Sequence, residues 1–419
     1  VLVQNLAGKR VAFAASGGLD SCTITHWLAS QGVQVICMTA DLGQPDEISM
    51  TEIERRMRAC GATDFVALPL GSATAEMGLN VIQAQACYEG RYWNTTGAGR
   101  RVTVHGLVRE MQKRGLKIMS HGATGRGNDQ VRFQVIAAML EPDIEVYAPW
   151  RDPAFLRRFG GRQQMIEYCE QYRLPIKATR EKPYSTDANL LGLTHEGGRL
   201  ESLATSADIV TPVMGLWPRN SPDEEAVVAV RFEGGRPVEI NGGKLPLLTV
   251  FQRLNELAGL HGVGIGLHLV ENRFVGVKSR GVYEAPAMEL LGTTYALLKQ
   301  IILDRRANEI FDCVSSYLGR QLYQGYWEDV GSQMARAAVA RAARLITGTV
   351  HVALHRGNIR FVKAAGVTHS LYTDASSMEQ VGSFDHADSE GFLRVLTLHA
   401  KTLARAGQLF QGGSDGVVE

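Results

Sequence analysis

Val11-Ala12-Phe13-Ala14-Ala15-Ser16-Gly17-Gly18-Leu19-Asp20-Ser21 is an apolar run that breaks into small residues and restarts as a helix. A strand ending near Ala15 delivers Ser16-Gly17-Gly18 to the carboxyl edge of a parallel sheet, and the next helix turns its unpaired backbone N–H groups into that loop. Such a helix start attracts an anion through its orphan donors and its positive dipole end, while two glycines allow close backbone approach to a phosphate. Ser16 and Ser21 add hydroxyl donors. An ordinary Gly-Gly turn is the alternative; the loop's place after the first strand of an alternating α/β pattern favours the phosphate site.

The loop lacks the Gly-x-x-x-x-Gly-Lys-Ser/Thr of a Walker A motif and the Gly-x-Gly-x-x-Gly of a dinucleotide fingerprint. Ser16-Gly17-Gly18-Leu19-Asp20-Ser21 resembles instead the pyrophosphate loop of the N-type ATP pyrophosphatases, which split ATP into AMP and pyrophosphate. That resemblance names a superfamily and no substrate.

The 419 residues, 45% hydrophobic and 21% charged, suffice for two or more domains. With 44 basic and 43 acidic side chains the net charge is +1, so no long-range field recruits nucleic acid or a membrane surface. Six cysteines are scattered without a Cys-x-x-Cys pair, and no apolar run approaches the roughly 20 residues that span a bilayer. A reduced cytoplasmic setting is expected, with no metal-ligand cluster.

Outward from the loop, strands expected at 33–38, 65–70, 116–119 and 144–147 alternate with helical faces at Ile24/Trp27/Leu28, Ile53/Met57/Cys60, 104–113 and 129–140. The alternation predicts an α/β fold. Its core is a parallel, doubly wound nucleotide-binding sheet, adenine nucleotide α-hydrolase-like, with the first strand central and ligands beyond the strand C-termini. Beyond about residue 175 hairpins are expected at 227–240 and 351–362, and helices near 246–259 and 286–304. The expected division is a nucleotide-binding domain at 1–175, an α+β synthetase and multimerisation domain at 176–370, and a tail at 371–419. Phe392, Val395, Leu396, His399, Leu403 and Ala406 in the tail form a one-sided helical stripe that needs a partner surface.

The second dense stretch, Ser120-His121-Gly122-Ala123-Thr124-Gly125-Arg126-Gly127-Asn128-Asp129-Gln130-Val131-Arg132, follows a strand at the same sheet edge. Asp129 and Arg132 stand one helical turn apart, as in a surface ion pair of little worth. The other reading has Asn128 and Asp129 holding an ammonium and Arg132 gripping a carboxylate with its planar fork.

Together with Ala40-Asp41-Leu42-Gly43-Gln44, Tyr184-Ser185-Thr186-Asp187-Ala188-Asn189-Leu190, Glu271-Asn272-Arg273-Phe274 and Lys278 through Pro286, these motifs resemble argininosuccinate synthetase from about residue 8 to 375. The resemblance implies ligation of citrulline to aspartate with ATP, giving argininosuccinate, AMP and pyrophosphate through a citrullyl-adenylate, in a homotetramer using Mg²⁺. It implies ATP contacts at Ala14, Ala15, Ser16, Gly17, Gly18, Leu19, Asp20, Ser21, Cys22, Ala40, Gly122, Thr124, Asp129 and Asp187. Aspartate contacts are implied at Thr124, Asn128 and Asp129, with Thr96 nearby. Citrulline contacts are implied at Tyr92, Asn128, Arg132, Ser185, Thr194, Glu196, Glu271 and Tyr283. Without the resemblance, Tyr92 and Tyr283 read as core tyrosines and Glu271 as a structural partner of Arg273 or Arg280. His195 beside Glu196 looks like an acid/base pair but reads better as a loop histidine, and His121 sits unpromisingly in a backbone site.

The chain departs from the family's pattern at Ser21, where threonine is commoner, and at Trp93 and Gly97, where the citrulline side commonly carries serine or proline near Gly97. These departures keep open a paralogue joining aspartate to another ureido or carbamoyl acceptor. Other superfamily synthetases, a tRNA thiolase and a silent nucleotide-binding scaffold are the remaining readings. Paired cysteines or a basic face would mark a thiolase, and neither is visible. The retained charged residues Asp129, Arg132 and Glu271 weigh against a scaffold.

Overall fold

The computed structural model describes residues 1–45, 49–176, 183–373, 375, 379 and 385–409. Its first part runs β1 (Arg10–Ala14), α1 (Leu19–Ser30), β2 (Gln34–Asp41), α2 (Met50–Ala59), β3 (Asp64–Pro69), α3 (Gly71–Ala84), α4 (Thr95–Arg114), β4 (Ile118–His121), α5 (Asp129–Leu140), β5 (Glu145–Tyr147), α6 (Pro153–Arg158) and α7 (Arg162–Gln171). The five strands are parallel in the order β3-β2-β1-β4-β5. The strands are apolar because helices cover both faces: Val11 and Phe13 pack into one core with Leu28 and Phe155, Ala12 into another with Leu107 and Phe133. After β3 the chain crosses back to β4 on the far side of β1. The loops following β1 and β4 therefore flank the switch point, where open α/β sheets bind ligands.

The second part runs β6 (Ser185–Asn189), β7 (Gly192–Glu196), β8 (Ala226–Glu233), β9 (Arg236–Ile240), β10 (Gly243–Lys244), α8 (Leu247–Leu260), β11 (Ile265–Asn272), β12 (Lys278–Glu284), α9 (Pro286–Ile302), α10 (Arg305–Gln324), α11 (Val330–Ala343), β13 (Gly348–His355) and β14 (Asn358–Ala365). It holds two sheets, β10-β9-β8-β13-β14 and β11-β12-β7-β6, whose paired strands are all antiparallel. The expected hairpins are β8/β9 and β13/β14, and the expected helices are α8 and α9.

The largest core crosses between the two parts. Leu79, Val81 and Ile82 of α3 pack with Phe232, Phe251, Tyr295 and Trp327, and each fully buried side chain of this size contributes about 1.5–3 kcal/mol. Gly78 permits the approach: a Cβ there would stand 2.4 Å from Leu191 Cδ2 and 2.8 Å from the Phe251 ring. The loops of the parallel sheet and the small β11-β12-β7-β6 sheet are thereby held on one frame.

Residues from Ser370 form a separate compact unit, containing α12 (His386–Arg405). Asp385 caps α12 by accepting from the Ala387 N–H at 2.9 Å. Phe392, Leu393, Val395, Leu396 and Leu398 along it are all exposed.

Candidate active site

Gly18 stands before α1 with extended backbone, and no side chain caps the helix, so its first N–H groups open into the loop. Ser21 Oγ accepts from the Ser16 N–H at 2.8 Å and meets Ser16 Oγ at 3.2 Å, tying the loop to the helix start. Gly17 has φ 73°, and a Cβ there would lie 3.0 Å from Ile53 Cγ2, so backbone freedom and space both require glycine. Leu19 and Cys22 are buried anchors beneath the loop. Asp20 accepts from the Trp150 indole at 3.2 Å, and burial pushes its carboxyl above the ordinary range. Ala14 and Ala15 end the central strand, and the Ala15 carbonyl accepts from Thr39 at 2.8 Å. Ala40 lies near the end of β2, its carbonyl held by the Gln44 amide at 3.0 Å. Gly122 approaches from the second loop: a Cβ on it would stand 3.7 Å from Asp20 Cβ. The two glycine loops thus meet at the switch point, with Thr124 exposed beside them.

The small sheet supplies the opposite wall, and its period of two decides which residues face the site. Asp187, Thr194 and Tyr283 are register partners in one row, and Ser185, Glu196 and Gly281 in the next. Glu271 shares their face, two residues beyond Leu269, which pairs with Gly281. Six residues scattered between positions 185 and 283 are thereby presented together. His195 falls on the reverse face: it is a buried strand residue rather than a loop residue, and its Nε2 lies 2.5 Å from Glu284 Oε1. Glu284 also accepts from the Val213 and Met214 N–H groups, so the pair fastens a loop behind the sheet. His121 is buried against Phe133, and desolvation lowers it to about 3, so it is neutral.

Between the two walls lies a charge cluster. Arg132, 4% exposed, donates from Nη1 to Asp129 at 2.8 Å and from Nε to the Tyr323 carbonyl at 2.9 Å. Arg100 joins Asp129 to Asp187 with bonds of 2.8 and 2.7 Å. Burial would raise Asp129, but the two guanidinium groups outweigh it and hold the carboxyl at about 2. Asp187, sharing Arg100 with Asp129, is raised chiefly by burial. Glu196 is reachable by water, yet the protein around it and the charges of Asp129, Asp187 and Glu271 push it up to about 7. Glu271 is raised by burial against the opposing pull of Tyr323 and Arg132. A cluster of two fixed guanidinium groups and four carboxyl groups suits a zwitterionic ligand, whose ammonium would relieve the acids and whose carboxylate would meet the arginine.

Tyr92 packs on Tyr283 at 4.2 Å, accepts from the Thr96 N–H at 2.9 Å and meets Thr95 Oγ1 at 3.3 Å. Thr96 Oγ1 touches Thr194 Oγ1 at 3.1 Å. Asn128 donates to the Tyr323 hydroxyl at 2.8 Å and accepts from the Phe274 N–H at 2.7 Å, bridging α5, α10 and the β11–β12 turn. Glu271 is hydrogen-bonded by Tyr323, while Arg280 turns to the carbonyls of Leu200 and Ser202. Of the two departures on this side, Trp93 lies in the core, donating to Glu289 at 2.7 Å. Gly97 is the one that borders the cluster: a Cβ on it would stand 2.9 Å from the Leu322 carbonyl and 3.8 Å from Arg132 Nε.

Sequence reading missed Arg100 and Tyr323. Arg100 follows Thr95-Thr96-Gly97-Ala98-Gly99, a run too poor in helix formers to be assigned to α4, so its inward face was invisible. Tyr323 lies in α10, which was not anticipated although its apolar residues recur at helical spacing.

A serine–glycine loop at the switch point of a parallel β3-β2-β1-β4-β5 sheet marks a nucleotide-binding α/β protein of the HUP class. The arginosuccinate synthase N-terminal HUP domain matches residues 10–175, and the arginosuccinate synthase C-terminal domain matches residues 184–403. Over 400 residues the chain is 37% identical to an argininosuccinate synthase of Rhodopirellula baltica, covering 95% of this chain and 98% of that protein. An argininosuccinate synthase of Jannaschia sp. is 37% identical over 412 residues, 97% of this chain and 99% of that protein. One from Thermotoga sp. is 35% identical over 399 residues, 94% and 97% of the two chains. The chain belongs to the argininosuccinate synthase family.

Proposed function

We propose that this protein ligates citrulline to aspartate with ATP, releasing AMP and pyrophosphate. The observation that carries the reading is the convergence of the uncapped serine–glycine loop, the Asp129–Arg132 helix start and the one-faced array Ser185, Asp187, Thr194, Glu196, Glu271 and Tyr283, in a chain of this family.

A ureido oxygen is a poor leaving group. It attacks the α-phosphorus of ATP, the bond to the bridging oxygen breaks, and pyrophosphate leaves with that electron pair. The α-amine of aspartate then adds to the activated carbon and expels AMP, losing its proton as the guanidinium forms. Ala14 to Cys22 would hold the phosphates, with Ala40 and Gly122 on the nucleotide side and Asp187 beside it. Thr124, Asn128 and Asp129 would take aspartate. Arg132 would meet the citrulline carboxylate, Glu196 and Glu271 its ammonium, and Tyr92, Asn128, Ser185, Thr194 and Tyr283 would frame the rest. Little proton chemistry is asked of side chains; positioning and stabilisation of phosphate charge supply the acceleration.

Among the described residues no group of three or more His, Cys, Asp or Glu could hold a metal ion. The carboxylate that would face Mg²⁺ at the phosphate loop is Asp20, carried in the first turn of the loop's own helix. When bound, the ion neutralises developing phosphate charge.

The same reading divides the chain into a nucleotide-binding domain at 1–175, a synthetase and multimerisation domain at 176–370 and a tail from 371. It places the protein in the cytoplasm as a homotetramer. No helix among the described residues is long and apolar enough to cross a membrane, and the exposed stripe of α12 supports an assembled state. A second reading is a paralogue that joins aspartate to a different ureido or carbamoyl acceptor, because Gly97, a departure from the family's pattern, packs beside Arg132.

The test is pyrophosphate release from labelled ATP with aspartate and a panel of ureido compounds. Citrulline-dependent release with stoichiometric AMP is expected. ADP as the product would remove the reading, and preference for another acceptor would select the second one.

A further inference from the structure

Tyr323, at the last turn of α10, turns its hydroxyl, its carbonyl and one ring face to the acceptor side of the site. Its hydroxyl donates to Glu271 Oε2 and accepts from Asn128 Nδ2 at 2.8 Å. Its backbone carbonyl accepts from Arg132 Nε at 2.9 Å, and the guanidinium carbon lies 5.1 Å from the ring centre. The ring also stacks on Tyr88 at 3.7 Å with 9° between planes. A tyrosine that only fills space needs one hydrogen-bond partner; this one saturates donor and acceptor on two polar side chains from different elements.

The end of α10 is held in place by close approaches. A Cβ on Gly97 would stand 2.9 Å from the Leu322 carbonyl, and one on Gly325, where φ is 94°, would stand 3.3 Å from Arg132 Cα. Tyr323 is therefore clamped between α4 and α5 at 2% exposure.

We propose that Tyr323 is the positioning residue of the acceptor subsite: it orients the Glu271 carboxylate, the Asn128 amide and the Arg132 fork toward the α-amino acid end of the acceptor. This rests on the function proposed above. Tyr323 touches no reacting atom; it acts through three residues that do the binding. Its O–H also stabilises the ionised form of Glu271 against burial. The other groups facing Glu271 are Arg132 and Asp129 from α5, Tyr92 before α4, Glu196 from β7 and Arg273 on its own hairpin. Among the described residues the side-chain donor to Glu271 is Tyr323.

Tyr323→Phe keeps the ring, the stack and the carbonyl. The KM for citrulline should rise about tenfold or more, the loss expected for one hydrogen bond to a charged group, with the KM for ATP within about twofold of wild type and a smaller rise for aspartate, which shares Asn128. The acid limb of kcat/KM for citrulline should move to higher pH. An unchanged citrulline KM and acid limb, or an equal loss for all three substrates, would overturn the proposal. If wild-type protein releases no pyrophosphate with citrulline, the function reading falls separately. Tyr323 is then tested in ligand-free protein carrying ¹³C-carboxyl glutamate, with the Glu271 resonance assigned through Glu271→Gln. Its titration midpoint should rise in Tyr323→Phe, and an unmoved midpoint sinks the role whatever the acceptor is.

Discussion

Arg132 and Asp129 form a pair, Nη1 to Oδ1 at 2.8 Å, in which the aspartate is partly exposed and the arginine is buried and also anchored through Nε to the Tyr323 carbonyl. The spacing of three residues alone is compatible with a solvated helix pair worth about 0.3–0.5 kcal/mol. At 4% exposure Arg132 is in a different regime. Nη2 makes no hydrogen bond among the described residues, and the proposed function assigns this edge to the citrulline carboxylate.

Arg132→Lys keeps the charge and loses the planar fork. We expect kcat/KM for citrulline to fall by about 2–5 kcal/mol in transition-state terms, with ATP binding close to wild type. Kinetics with each substrate varied, beside a melting curve, separates the possibilities: a normal citrulline dependence, or a defect seen only as lost thermal stability, would make Arg132 structural.

Glu196 gives the pH dependence. Its carboxyl is raised from the usual 4.5 to about 7, so the folded, ligand-free protein binds its proton more tightly than the unfolded chain does. Stability should therefore fall as pH rises from about 4.5 to about 7, and Glu196→Gln should flatten that slope in a melting-temperature series. In the proposed function ionised Glu196 meets the citrulline ammonium, so kcat/KM for citrulline should climb through about pH 7. A profile unchanged by Glu196→Gln would exclude Glu196 from acceptor binding.

Gly97→Ser tests the close approach of α4 and α10. The added Cβ meets a backbone carbonyl at 2.9 Å, and overpacking of this kind costs about 1–3 kcal/mol. Because the displaced carbonyl belongs to Leu322, one residue before Tyr323, citrulline KM should rise with the loss of stability. Denaturant unfolding that shows no destabilisation would mean that the end of α10 is free to shift.

Truncation before Phe392 removes the exposed face of α12. Light scattering should report a smaller assembly; an unchanged mass would leave the stripe without its assigned role.

The parallel sheet was legible because its strands are buried on both faces and its loops are written in serine and glycine. Val11 to Ala15 and Ser16 to Gly18 carry their conformation in local sterics and hydrogen-bonding capacity, so their reading needs no distant residue. The hairpins at 227–240 and 351–362 follow from the same kind of local signal. Only the tertiary structure decided which side chains share the acceptor site. Register across β6, β7, β12 and β11 puts Asp187, Glu196, Tyr283 and Glu271 on one face and sends His195, the immediate neighbour of Glu196, to the other. Arg100 and Tyr323 enter through packing of α4 and α10, at sequence distances of 29 and 191 residues from the partners they hold in α5. The difference is one of range: a turn or strand is selected by energies within a few residues, whereas a charge cluster exists only after burial has brought distant groups together and weakened the water that screened them.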